Sequence, residues 1–128
     1  NAIEQLPRKP IVTHMPRLED LFLHSNDLHE LHPGTFANLS QLFRLEIYNN
    51  KIAHIPETAF EGCSKLTILN IERNMLTSLG EALFRPMRGS VLRQLYFGGN
   101  RLVRVPEKLL NGLENLMTLS MGDNPLEV

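Results

Sequence analysis

Apolar and polar positions alternate along this chain in one recurring order: Leu-x-x-Leu-x-(Leu/Ile/Phe/Met)-x-x-Asn-x-(Leu/Ile/Pro-Leu). Copies begin at Leu18, Leu42, Leu66, Leu92 and Leu116, and each reaches an asparagine eight residues later: Asn26, Asn50, Asn74, Asn100 and Asn124. The starts lie 24 residues apart, except for the 26 between Leu66 and Leu92. A fixed period in this range predicts stacked supersecondary units rather than one globular core. Within the first copy Leu21 and Leu23 fall on one side, and Asp20, Phe22 and His24 on the other. That is the period of a half-buried strand.

The return path carries its own apolar registers. Phe36, Phe60, Phe84 and Leu110 form one, and Leu39, Cys63, Met87 and Leu113 another. A single turn cannot cover so many apolar side chains, whereas stacked turns bury them along a shared axis. Successive strands then pair in parallel at roughly 4.8 Å, and equivalent residues form columns. The recurring asparagine suits the strand exit, because its amide both donates and accepts and can satisfy two turns at once. A structural asparagine ladder of Asn26, Asn50, Asn74, Asn100 and Asn124 follows.

The run Leu18-x-x-Leu21-x-Leu23-x-x-Asn26-x-Leu28-x-x-Leu31-x-x-x-x-Phe36-x-x-Leu39 resembles the typical leucine-rich repeat, the 24-residue animal class with phenylalanine on its convex side. The resemblance covers roughly residues 1–128. It implies an α/β-type solenoid, mainly β with an irregular or short-helical convex side, curved into a horseshoe segment with a parallel sheet on the concave face. It also implies an ectodomain, as in Toll-type receptors, matrix proteoglycans, adhesion receptors and jawless-fish antigen receptors.

The expected organisation is one solenoid domain. An incomplete N-terminal repeat spans 1–17, followed by repeats 18–41, 42–65, 66–91 and 92–115 and a partial repeat 116–128. Asn1, Ile3 and Leu6 match Asn26, Leu28 and Leu31, with Ile11 and Met15 completing the first half-turn. Both ends read as cut, which suggests a slice of a longer solenoid. The two extra residues of the third repeat fall around residues 86–90.

Net charge is −1. This lacks the electrostatic signature of nucleic-acid binding or of an anionic-membrane surface. No apolar run approaches the ~20 residues of a membrane span, so direct membrane insertion by this segment is not expected. The lone Cys63 shares a register with Leu39 and Leu113 and reads as a small buried hydrophobe. Asn38-Leu39-Ser40 is a glycosylation sequon at Asn38, which agrees with a secreted or cell-surface location.

Function should depend on the variable strand positions. Three columns read Asp20, Arg44, Ile68, Gln94, Thr118; then Phe22, Glu46, Asn70, Tyr96, Ser120; then His24, Tyr48, Glu72, Gly98, Gly122. Beside them run Ser25, Asn49, Arg73, Gly99 and Asp123, with Phe43 at the rim of the second strand. Rigid amphipathic rings on a solvated sheet are what protein interfaces use as anchors. The bland alternative is that aromatics simply favour strands. The expected ligand-binding set is Phe22, Arg44, Glu46, Tyr48, Glu72, Arg73 and Tyr96, with Asp20 and Arg44 as a cross-strand pair. Gly98, Gly99 and Gly122 give either room for a partner or a tight strand exit.

His29 and His32 have a zinc-compatible spacing, yet no set of four ligands completes it, and neither metal nor cofactor is expected. Glu30 and His54 share a column, which suggests a surface ion pair. Glu46 and Glu72 read as solvated carboxylates rather than an acid/base pair. With no catalytic residues expected, the reading is a non-enzymatic module of an extracellular receptor or of an innate-immune or adhesion protein, taking a protein ligand on its concave face. The alternatives are an intracellular scaffold, or a structural segment that self-associates through open ends.

Overall fold

Five three-residue strands carry the architecture of the computed structural model, which describes residues 4, 6, 17–37, 39–88 and 91–127. They are β1 (Asp20–Phe22), β2 (Arg44–Glu46), β3 (Ile68–Asn70), β4 (Gln94–Tyr96) and β5 (Thr118–Ser120). All pair in parallel in sequence order, with Leu21, Leu45, Leu69, Leu95 and Leu119 in one register. The chain is a curved solenoid with a parallel β-sheet, as the repeat pattern implies. The ladder runs on past the strands. Ser25 donates to Tyr48 O at 3.1 Å, Asn49 to Glu72 O at 3.0 Å and Arg73 to Gly98 O at 2.9 Å.

Inside the coil, Leu45, Ile47, Phe60, Leu69, Ile71, Phe84, Leu95 and Phe97 are fully buried. Phe36 and Phe60 stack with centroids 6.2 Å apart and planes 15° from parallel. The fourth turn ends this ring column, because Leu110 packs against the core but is only half-buried. A further column escaped the sequence reading: Thr35, Ala59, Leu83 and Leu109, each fully buried immediately before the ring position. Their chemistry varies too much to show as a repeat. What they share is position, not type.

The return path is irregular, with one short 3-10 helix, Arg85–Met87, among the described residues. Met87 and Leu92 are both buried, as Cys63 and Leu66 are in the preceding turn. The two extra residues therefore fall between Met87 and Leu92, where Gly89 and Ser90 lie outside the described residues. Outside them too are Ile3, Ile11, Met15, His14 and the sequon residue Asn38. Leu6, by contrast, joins the core, and His29 N–H donates to Glu4 O at 3.3 Å.

Asn50, Asn74, Asn100 and Asn124 make the same set of bonds, and Asn26 shares its own-turn part. Asn74 Nδ2 donates to Ile71 O (3.1 Å) and Glu72 O (3.1 Å) in its own turn and to Ile47 O (3.2 Å) in the turn before. Its Oδ1 accepts Ile52 N–H at 3.2 Å. Asn50 repeats this with Leu23 O, Ile47 O and Leu28 N–H, and Asn100 with Ile71 O, Phe97 O and Leu76 N–H. Each amide thus caps backbone groups that the narrow coil hides from water, where an unmade bond costs about 1–3 kcal/mol. Asn26 and Asn50 are also joined directly, Asn26 N–H to Asn50 Oδ1 at 3.1 Å.

Backbone bonds on the return side follow suit: Lys51, Met75 and Arg101 donate to Leu28 O, Ile52 O and Leu76 O, each at 2.8 Å. Pro125 stands at the next equivalent position and has no N–H to give.

Asn74→Ala leaves the buried Ile52 N–H without its acceptor and removes one of two donors from each of Ile47 O, Ile71 O and Glu72 O, so a loss of about 1–3 kcal/mol is expected. Asn124→Ala, at a half-buried position, should cost clearly less. Urea unfolding of both variants checks the order. Equal midpoints would mean that the ladder carries no such weight.

Candidate functional site

Period-2 alternation aims the middle residue of each strand into the coil and its two neighbours at the concave surface. The columns built on Asp20 and Phe22 are in strand register. The first half of this face is an aromatic and charged cluster. Phe22 is 52% exposed. His24 stacks on Tyr48 with centroids 4.7 Å apart and planes 7° from parallel, and Phe22 meets the His24 ring edge-on at 6.1 Å. The Arg44 guanidinium lies 6.0 Å over the Phe22 ring.

Asp20 and Arg44 are register partners, but the Arg44 head turns elsewhere: its Nε lies 3.5 Å from Glu46 Oε1. Glu46 stands two residues along the same strand, so this is a same-strand pair and not the expected cross-strand one. The Glu46 side chain is only 13% exposed, and its Oε2 is buried with no hydrogen-bond partner, as are Arg44 Nε and His24 Nδ1.

The second half is barer. Tyr96 OH donates to Gln94 Oε1 at 2.8 Å, which ties that ring to its own strand. Glu72 Oε2 accepts the Ser120 hydroxyl at 3.2 Å, reaching across two turns. It can do so because Gly98 lies between them: a Cβ there would sit 2.9 Å from Glu72 Oε2 and 2.9 Å from Gly122 O. A trough of about 200 Å³ results, lined by Tyr48, Asn70, Glu72, Arg73, Gly98, Gly99 and Asp123. Ile68 departs from the expected solvent-facing column by being buried, since neighbouring side chains cover it.

The edge column has a backbone role that the sequence reading did not assign. Ser25, Asn49, Arg73, Gly99 and Asp123 all adopt positive φ, between 51° and 65°. The chain turns sharply out of the sheet here, one residue before each ladder asparagine. Glycine, asparagine and aspartate visit this region at low cost, and the restricted residue types were the available signal. Gly99 is therefore part of the strand exit, while Gly98 opens the trough.

Elsewhere, Glu30 and His54 meet through a backbone bridge, and the Glu30 carboxylate faces His32 Nε2 at 3.6 Å rather than His54. Among the described residues, no group of three or more histidines, cysteines and carboxylates has metal-site geometry, and no helix is long and apolar enough to cross a membrane. Cys63 is fully buried, its thiol donating to Phe36 O at 3.7 Å. Burial pushes the Cys63 pKa up from 9.0 to about 12.

A stacked parallel coil that offers an open, mixed aromatic and charged sheet is a repeat-type scaffold. The family model for the leucine-rich repeat matches residues 1–52, 16–76 and 44–91, and the chain belongs to the leucine-rich repeat family. It is 32% identical to human decorin over 127 residues, covering 97% of this chain and 33% of decorin. It is 26% identical to keratocan of Danio rerio over 112 residues, covering 86% of this chain and 31% of keratocan. The chain thus spans about a third of the length of the curated relatives it matches. Two solved structures share the fold. A chain of the Drosophila Toll–Spätzle complex superposes with a TM-score of 0.72 at 24% identity, over 95% of this chain and 19% of that one. A leucine-rich repeat protein of Leptospira interrogans does so at 0.67 and 22%, over 98% and 38%.

Two outcomes are expected from this geometry. Arginine at φ 51° is strained relative to glycine, so Arg73→Gly should leave stability unchanged or raise it by up to about 1 kcal/mol in urea unfolding. A clear loss would show that the Arg73 side chain outweighs its backbone strain. For Cys63, the unfolded thiol ionises near pH 9 while the folded one stays protonated towards 12. Stability is therefore full below about pH 9 and falls as pH rises above it. Cys63→Ala should flatten that alkaline decline, and iodoacetamide should label native Cys63 only on unfolding.

Proposed function

We propose that this chain is a non-catalytic protein-recognition module of an extracellular leucine-rich repeat receptor or of an innate-immune or adhesion protein. Its protein ligand lies on the concave face, on Phe22, Arg44, Glu46, Tyr48, Glu72, Arg73 and Tyr96. The observation that carries the reading is Phe22, a phenylalanine 52% exposed on a sheet surface and braced by the His24–Tyr48 stack. A rigid, half-exposed ring offers a large apolar contact at little entropy cost. The neighbouring guanidinium and carboxylates supply orientation.

The comparisons support the coarser part of this reading. Decorin and keratocan are extracellular relatives, and Toll was solved in complex with Spätzle. Glu72 is held by Ser120, and Glu46 is paired with Arg44 and, against the expectation of a solvated carboxylate, only 13% exposed.

A second reading, association between copies, draws on β5 and the residues on either side of it, where Met117, Leu119 and Met121 are 78%, 38% and 37% exposed. Sedimentation across a range of concentrations separates the two. A monomer at high concentration removes the second.

Alanine at Phe22 or Tyr48 should each weaken a protein ligand isolated with the intact chain by more than about 1 kcal/mol in calorimetric titration. Tyr96→Ala is expected to cost less, because that ring is already tied to Gln94. Affinity unchanged in all three would place the ligand on a flank or on the convex side.

A further inference from the structure

The charges of the concave face are unbalanced. Asp20, Glu46, Glu72 and Asp123 stand there against Arg44 and Arg73 alone. Arg44 is engaged with Glu46. The Arg73 stem lies along Gly99, where a Cβ would come within 3.1 Å of its Cγ, and among the described residues no ion pair joins it to Glu72 or Asp123. Glu72 therefore has a hydroxyl for a partner but no cation. A carboxylate has about four acceptor positions, and the Ser120 hydrogen bond takes one.

The surroundings of that carboxylate are specific. Gly98 and Gly122 hold the places where the same column earlier carries His24 and Tyr48, so Glu72 extends over a bare floor. Tyr48 walls one end. The trough of about 200 Å³ is smaller than the roughly 300–1,000 Å³ of small-molecule pockets and matches a single side chain. Glu46, two residues before Tyr48 in the same turn, is engaged with Arg44 and does not line the trough, so Glu72 and Asp123 are the carboxylates that do.

We propose that the polypeptide received on this face inserts an arginine or lysine side chain into the trough beside Tyr48, where Glu72 pairs with its head and Asp123 closes the rim. The inference rests on the concave-face reading and names the chemistry of its ligand. A cation placed here gains a charge-assisted bond to a carboxylate already held in position by Ser120, and an aromatic wall that attracts positive charge. The partner's flanking residues lie over Phe22 and His24.

Panning a displayed library of random peptides on the chain tests this. Binders are expected to carry arginine or lysine at one shared position, enriched about tenfold or more over the starting pool. Glu72→Gln keeps the shape and the Ser120 bond while removing the charge. It should keep the urea midpoint and lose the basic enrichment, and peptides selected on the unaltered chain should bind it about tenfold more weakly or worse. Basic enrichment that survives this substitution overturns the proposal, as does a library that yields no binder. Binders lost on Tyr48→Ala but without any basic preference overturn it while leaving the concave-face reading intact. Binders indifferent to Phe22→Ala, Tyr48→Ala and Glu72→Gln alike overturn both.

Discussion

One side-chain amide, bonded to two turns at once, holds this protein in register. Asn50, Asn74, Asn100 and Asn124 each donate to carbonyls of their own turn and of the turn before, and accept an N–H from that earlier turn. No leucine could stand there, because the backbone groups it would face are buried and polar. The ladder also fixes spacing. With neighbouring asparagines held by one shared set of bonds, the strands between them have no freedom to slip. A one-residue slip would in any case turn the leucines outward.

That constraint leaves the concave columns free to vary. Strand identity comes from the inward leucines and the asparagine, so the outward residues carry little of the folding load and are available for recognition. The sharp exit at positive φ adds to this. It holds the residue after each outward column in a fixed backbone conformation and so sets the edge of the surface. A face built this way has a fixed backbone, and the proposed ligand would pay little ordering cost there.

The two halves of the face have different character for a simple reason. Where neighbouring turns both carry large side chains, they pack on one another: His24 on Tyr48, Phe22 on His24, Arg44 over Phe22. Where the column falls to glycine, the side chain of the previous turn spreads across the gap, as Glu72 does to reach Ser120. The first half is a platform and the second a trough, with Tyr48 at their border. Both follow from single side chains acting on neighbours one turn away.

The repeat itself was legible in the residues. Leucine spacing determined the turn, alternation determined which side faces water, and the asparagine period determined the ladder positions, because each depends only on local periodicity. Concave membership of Phe22, Tyr48 and Glu72 follows from the same counting. Contacts between turns were decided in three dimensions. Arg44 turns along its own strand to Glu46 and not across to Asp20; Glu30 faces His32; Ile68 is covered by its neighbours. Rotamer choice depends on the space left by the turns above and below, and no one-dimensional pattern encodes that space. The buried column of Thr35, Ala59, Leu83 and Leu109 stayed hidden likewise, because a stacked interior constrains volume and position more tightly than residue type.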